Sequence, residues 1–162
     1  MDARPPAFLR GGNPLLVVVA NVGPAGWDRR MVAACEDLLR QIGGTRVDLW
    51  QLDCCDRERI KAGEPFRRVQ ELRDGGLIRF VGIVVQTPRD ARWVLDNTPV
   101  HAITLDGPVD DADWSEVWPA ACESGIGLLA TARAAGHDLA RARGLLAATP
   151  IAGFAWPFDL GP

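Results

Sequence analysis

Strand-length apolar runs alternate with amphipathic stretches along almost the whole chain, and that alternation restricts the fold more than any other feature. Residues 15–22 (LLVVVANV) are a nearly continuous apolar run, the pattern of a strand covered on both faces. After Gly23, Pro24 and Gly26, residues 28–42 place Met31, Cys35, Leu38 and Ile42 at helical spacing, with Leu39 widening the stripe. Gly43 and Gly44 stop that helix, and 47–52 is a second strand. Pro65 suits a first helical turn, and Phe66, Val69 and Leu72 share one face behind it. Asp74, Gly75 and Gly76 close this helix before a third strand at 78–85. Thr87, Pro88 and Asp90 have the order of N-cap, first helical position and capping acid, ahead of Trp93 and Val94. A fourth strand is expected at 101–105 and a fifth at 126–131. Between them Trp114, Val117, Trp118 and Ala121 mark a helix face. Asp138 is placed to cap a last helix with Leu139, Leu145 and Leu146, and 151–156 offers a sixth strand.

Strands alternating with helices imply right-handed crossovers and a parallel sheet. Two closures satisfy this: part of a (β/α) barrel, with about five or six strands, or an open doubly wound sheet. Periodicity does not choose between them. At 162 residues a single domain over 1–162 is expected, with an N-terminal extension at 1–13 and an aromatic tail at 150–162. The formal net charge of −3 supplies no basic field for nucleic acid or an anionic membrane. The run at 15–22 is too short to span a bilayer, and MDARPPAFLRGG lacks a secretory layout. The expectation is a cytoplasmic protein whose four cysteines are reduced.

Three segments carry a family resemblance. RVDLWQLDCCD (46–56) resembles the aldo-keto reductase strand written iDLyllHrpD. ELRDGGLIRFVGIVVQTP (71–88) is similar to that family's helix end, its "G-lIR-iG" strand and the helix cap that follows. CESGIGLLATARAAG (122–136) is similar to its "c-e-l-GIgviAysPLa-G" stretch. The three come in the family's order and cover residues 14 to 136 with the strand at 15–23. The resemblance implies a barrel lacking the first two strands of the family.

It also implies what the chain has replaced. An aldo-keto reductase moves hydride from a nicotinamide cofactor to a carbonyl, with a Tyr proton donor tuned by Lys and His and an Asp supporting the Lys. A phenol needs a neighbouring cation to work near neutrality. Tyrosine is absent here; the family Lys falls on Asn21 and the His on Asp53. The Ser-Asn pair that holds the carboxamide becomes Val84-Val85, the next Gln falls near Thr104, and the stacking aromatic falls on Thr131. The resemblance therefore implies a degenerate relative, with cofactor binding lost and no cofactor or metal expected.

Working residues of barrels stand at the C-terminal ends of strands. By that rule Asp53, Cys54 and Asn21 are the catalytic candidates if the chain is an enzyme, and Gln86, Thr104, Asp106 and Arg133 are ligand-binding candidates. Asp53-Cys54-Cys55-Asp56 lacks the C-x-x-C spacing of a metal site; adjacent cysteines on a strand end point to opposite faces and suit packing. Asp110, Asp111 and Asp113 fit a helix N-terminus. His101 and His137 accompany no nucleophile motif. An incomplete sheet and the aromatic tail around Trp156 predict a homo- or hetero-oligomer. The leading expectation is a non-redox binding, assembly or accessory protein. The alternatives are rebuilt chemistry at the mouth, and an NADP-dependent oxidoreductase completed by a partner chain.

Overall fold

The structure, a computed structural model, describes residues 30–53, 57–109, 112–149, 151 and 153–155. The expected strand at 15–22, Asn21, Cys54 and Trp156 lie outside the described residues. Helix α1 (Arg30–Ile42) leads into β1 (Val47–Asp53), then α2 (Arg57–Lys61), α3 (Glu64–Asp74) and β2 (Ile78–Val85). There follow α4 (Pro88–Asn97), β3 (Ala102–Leu105), α5 (Val117–Glu123), β4 (Gly127–Thr131), α6 (Leu139–Ala148) and β5 (Gly153–Ala155). Short 3₁₀ turns at Ala112–Glu116 and Ala132–Ala135 precede α5 and α6.

All four strand pairs are parallel and the strands lie side by side in chain order. A doubly wound sheet reverses its strand order at a switch point; this one does not. Consecutive parallel staves with helical crossovers are the construction of a (β/α) barrel. Among the described residues β5 does not pair back onto β1, so the barrel is partial.

Helix starts follow the chemistry expected of them. Thr87 Oγ1 accepts from Asp90 N at 3.1 Å and donates to Asp90 Oδ2 at 2.7 Å, so the first turn of α4 is closed by both residues. Asp138 Oδ1 accepts from the backbone N–H groups of Ala140 and Arg141 at 2.8 and 3.3 Å. Gly43 and Gly76 have φ of +62° and +72°, the left-handed exit that a side chain disfavours.

Three details differ from the sequence reading. α5 is entered through the 3₁₀ turn, and its N-cap, Glu116, makes no side-chain cap bond. Trp114 closes that turn, donating from its indole nitrogen to Pro108 O at 2.8 Å and stacking on Trp118 with 5.5 Å between centroids. On α6 it is Ala142 that is buried, while Leu146 is exposed, because the helix rests on small residues of the preceding turn. α2, too short for a periodic signal, was not expected at all.

Alternate residues of each strand serve different layers. Trp50, Leu52, Val81, Ile83, Val85, Ile103, Leu105, Leu128 and Ala130 join Val69, Leu72, Val94, Val117 and Ala121 from the helices in one apolar core. The intervening positions, among them Leu49, Gln51, Val84, Ala102, Thr104 and Leu129, are also buried but look towards the barrel interior. That inner face positions the site.

Candidate functional site

Four C-terminal strand ends converge on one mouth: Asp53 ends β1, Gln86 follows β2, Asp106 follows β3 and Thr131 ends β4. Beneath the rim the side chains form layers contributed by alternate strands, as barrel interiors do. In the lower layer Gln51 of β1 reaches across β2 to β3, where its Nε2 donates to Thr104 Oγ1. Gly82 permits the crossing. A Cβ there would lie 3.2 Å from Gln51 Cγ, 3.3 Å from Leu49 Cδ1 and 3.2 Å from the Ala102 carbonyl oxygen. Both Gln51 and Thr104 are fully buried, and Gln51 Oε1 has no hydrogen-bond partner. A buried polar atom left unpaired is costly, and this oxygen is sealed from solvent within the inner face of the sheet.

Two residues further along each strand stand Asp53 and Asp106, the upper layer. Asp106 is held from the β4 side: Thr131 Oγ1 donates to its Oδ1 at 2.6 Å, and Arg133 Nη1 lies 3.4 Å from its Oδ2. The Arg133 side chain is 66% exposed, so this long ion pair is screened and adds little. No donor among the described residues meets the Asp53 carboxylate. Removal from water pushes its carboxyl above the usual carboxylate range, and the negative charge of Asp106 pushes it the same way.

Backbone contacts fix the rim. Asp106 N donates to Val85 O at 2.7 Å, and Gly107 packs so tightly that a Cβ would sit 2.3 Å from Gln86 O. Only glycine fits this approach. Around the outside, Arg57 forms an ion pair with Asp90 and lies 5.6 Å from the Trp93 ring centroid, tying the start of α2 to α4. A concave surface lies there between α2, α4 and α5, lined by Trp93, Arg89 and Val117; of its three arginines, Arg57 and Arg92 are paired with Asp90 and Asp96, and Arg89 is exposed.

Of the residues singled out from sequence, Asp53, Thr104, Asp106 and Arg133 come together. Thr104 lies in the floor and not on the rim. Gln86 is exposed and enters the arrangement through its backbone. Two contributors were missed, Gln51 and the hydroxyl of Thr131. Gln51 had a signal: it is a polar residue in an apolar strand, two positions before Asp53 and thus on the same face. Among the described residues no group of three or more His, Cys, Asp or Glu side chains could hold a metal ion. No helix of the described residues is long and apolar enough to cross a membrane.

No protein-family model matches the sequence, and no curated protein matches it. Solved structures do. An aldo-keto reductase of Bacillus halodurans in its holo form is 24% identical with a TM-score of 0.53, covering 63% of this chain and 34% of that one. A Pseudomonas aeruginosa protein assigned as an aldo-keto reductase is 18% identical with a TM-score of 0.67, covering 92% and 64%. A thermostable aldo-keto reductase crystallised with the inhibitor epalrestat is 18% identical with a TM-score of 0.64, covering 90% and 62%. The chain thus spans between about a third and two thirds of the length of these proteins. Consecutive parallel staves, a polar mouth at their C-terminal ends and these likenesses agree: the chain has the fold of part of an aldo-keto reductase barrel.

Proposed function

We propose that this chain is a non-redox binding protein built on an aldo-keto reductase-like scaffold, and that the mouth around Asp53 and Asp106 is its ligand site. The observation that carries the reading is the pair of acids at the rim, one of them, Asp53, standing where the resemblance puts the family's histidine. Carbonyl reduction gathers negative charge on the carbonyl oxygen, and a reductase stabilises that charge with hydrogen-bond donors. Two neighbouring carboxylates oppose it.

The positions that would seat a nicotinamide fit it poorly. Val84 is apolar and buried, Thr104 is committed to Gln51, and the Thr131 hydroxyl is committed to Asp106. Fluorescence titration with NADPH is the direct test. The expected result is no saturable binding and no turnover of aldehydes; tight binding with aldehyde-dependent NADPH oxidation would overturn the reading. An accessory role through a homo- or hetero-oligomer belongs to the same proposal, and light scattering after size exclusion measures it, with a stable monomer at micromolar concentration counting against it.

A second reading has one observation in its favour. A carboxyl held above its ordinary range, as at Asp53, suits general acid–base work near neutrality. In that case Asp53 would move the proton and Asp106, oriented by Thr131, would hold the substrate; Cys54 and Asn21 belong to this reading as candidate partners.

A further inference from the structure

We propose that His101 is an acid-sensitive latch at the end of the barrel opposite the mouth: its neutral ring closes the seam between β2 and β3, and protonation opens it. The device is independent of what the mouth binds.

His101 stands one residue ahead of β3, and its backbone stitches three staves together. Its N–H donates to Val81 O of β2 at 2.8 Å, and its carbonyl accepts from Gly127 N of β4 at 2.9 Å. In a parallel ladder the N–H of Val81 would seek a carbonyl of the segment that enters β3, but residues 98–100 are not strand. The imidazole takes that carbonyl's place: Val81 N donates to His101 Nδ1 at 3.3 Å. A ring nitrogen accepts only while it carries no proton, so this bond selects the neutral ring with its hydrogen on Nε2. Imidazolium would set one N–H against another.

The surroundings oppose the charged ring as well. The half-buried imidazole meets Phe80 edge to face, with 5.5 Å between ring centroids. Arg73, at the end of α3, acts on it as a like charge, and Arg79 of β2 lies 4.9 Å from the centroid of the Phe80 ring. Pro99 and Val100 behind α4, and Ile126 and Gly127 entering β4, carry no charge. Burial first, and the Arg73 charge second, hold this histidine below its ordinary range. The Val81 backbone is the smallest influence and runs the other way, but its carbonyl already accepts from the His101 N–H.

Nuclear magnetic resonance of the full chain tests the latch at two atoms. The ring nitrogens of His101 should show the Nε2–H tautomer at neutral pH and a protonation midpoint below about 6.5, the value of a free histidine. Between that value and the lower folded midpoint, only the opened seam takes up the proton. The protection of the Val81 amide against hydrogen exchange, corrected for its intrinsic rate, should therefore fall by up to about tenfold per pH unit on acidification, the slope for one proton, and level off below the folded midpoint. His101→Asn places a non-titrating oxygen near the position of Nδ1; it should keep Val81 protected at neutral pH and remove the acid dependence. His101→Leu offers no acceptor and should expose Val81 to exchange already at neutral pH. A proton found on Nδ1 at neutral pH, or a midpoint at or above the free value, overturns the proposal on the parent chain alone. An Asn variant that loses Val81 protection on acidification as the parent does overturns it as well, because another group is then the sensor.

Discussion

The two faces of the sheet are made by the same strands and obey different rules. Towards the helices, β1 to β4 present Trp50, Leu52, Val81, Ile83, Val85, Ile103, Leu105, Leu128 and Ala130, every one apolar and buried in a continuous core. Towards the interior the same strands mix apolar Leu49, Val84, Ala102 and Leu129 with Gln51, Asp53 and Thr104, and Gln51 Oε1 lacks a partner there. One residue's displacement along a strand separates a position that holds the fold together from one that costs it stability. Polar groups left partly unsatisfied are tolerated when the surrounding core over-determines the fold. The helix-facing layer is that core, and the inner face is where chemistry is affordable.

Four substitutions probe the contrast. The largest effect is expected on the helix side: Ile83→Ala should cost about 2–5 kcal/mol, the range for truncating a fully buried aliphatic, read from the midpoint of urea denaturation. Gly107→Ala, at the rim, should cost about 1–3 kcal/mol through overpacking against the Gln86 carbonyl, and a melting temperature equal to the parent's would refute the close approach. Gly82→Ala should cost about 1 kcal/mol, near the net worth of one hydrogen bond. Loss of slow exchange of the Gln51 side-chain amide protons would show that the cause is the severed contact with Thr104.

Asp53→Asn should move stability the other way. The folded state holds this carboxyl above its unfolded range, so the parent chain loses stability as pH rises through the folded-state value and keeps it at lower pH. Asparagine has no charge to bury. The variant should therefore be at least as stable as the parent at pH 7, with the gap closing on acidification. A variant less stable at neutral pH would mean that the Asp53 charge is paid back by a contact.

Much of this architecture could be read in advance because its signals are local. β2 has the bounds expected of it, since Ile78–Val85 is an uninterrupted apolar run between a glycine pair and a Thr-Pro cap. Asp138 and Thr87 announced their helices for the same reason, a side chain serving backbone groups two or three residues away. The choice between barrel and doubly wound sheet was not legible in periodicity, because strand order depends on which stave neighbours which. The site was half legible. Asp53, Asp106 and Arg133 follow from the rule that strand ends carry function, whereas the pairing of Gln51 with Thr104 spans 53 residues and depends on a glycine in a third strand. Thr131 was read only as a departure from an aromatic, and its hydroxyl gained meaning when β4 came to lie beside β3.

The bare backbone at Gly82 has a consequence for how such a barrel can change. A stave that offers no side chain lets its two neighbours speak to each other directly, so the polarity of the interior is set by residues that are not adjacent in the sheet. Giving position 82 any larger side chain would do more than fill space. It would insulate β1 from β3 and return the floor of the mouth to two separate, unanswered polar groups.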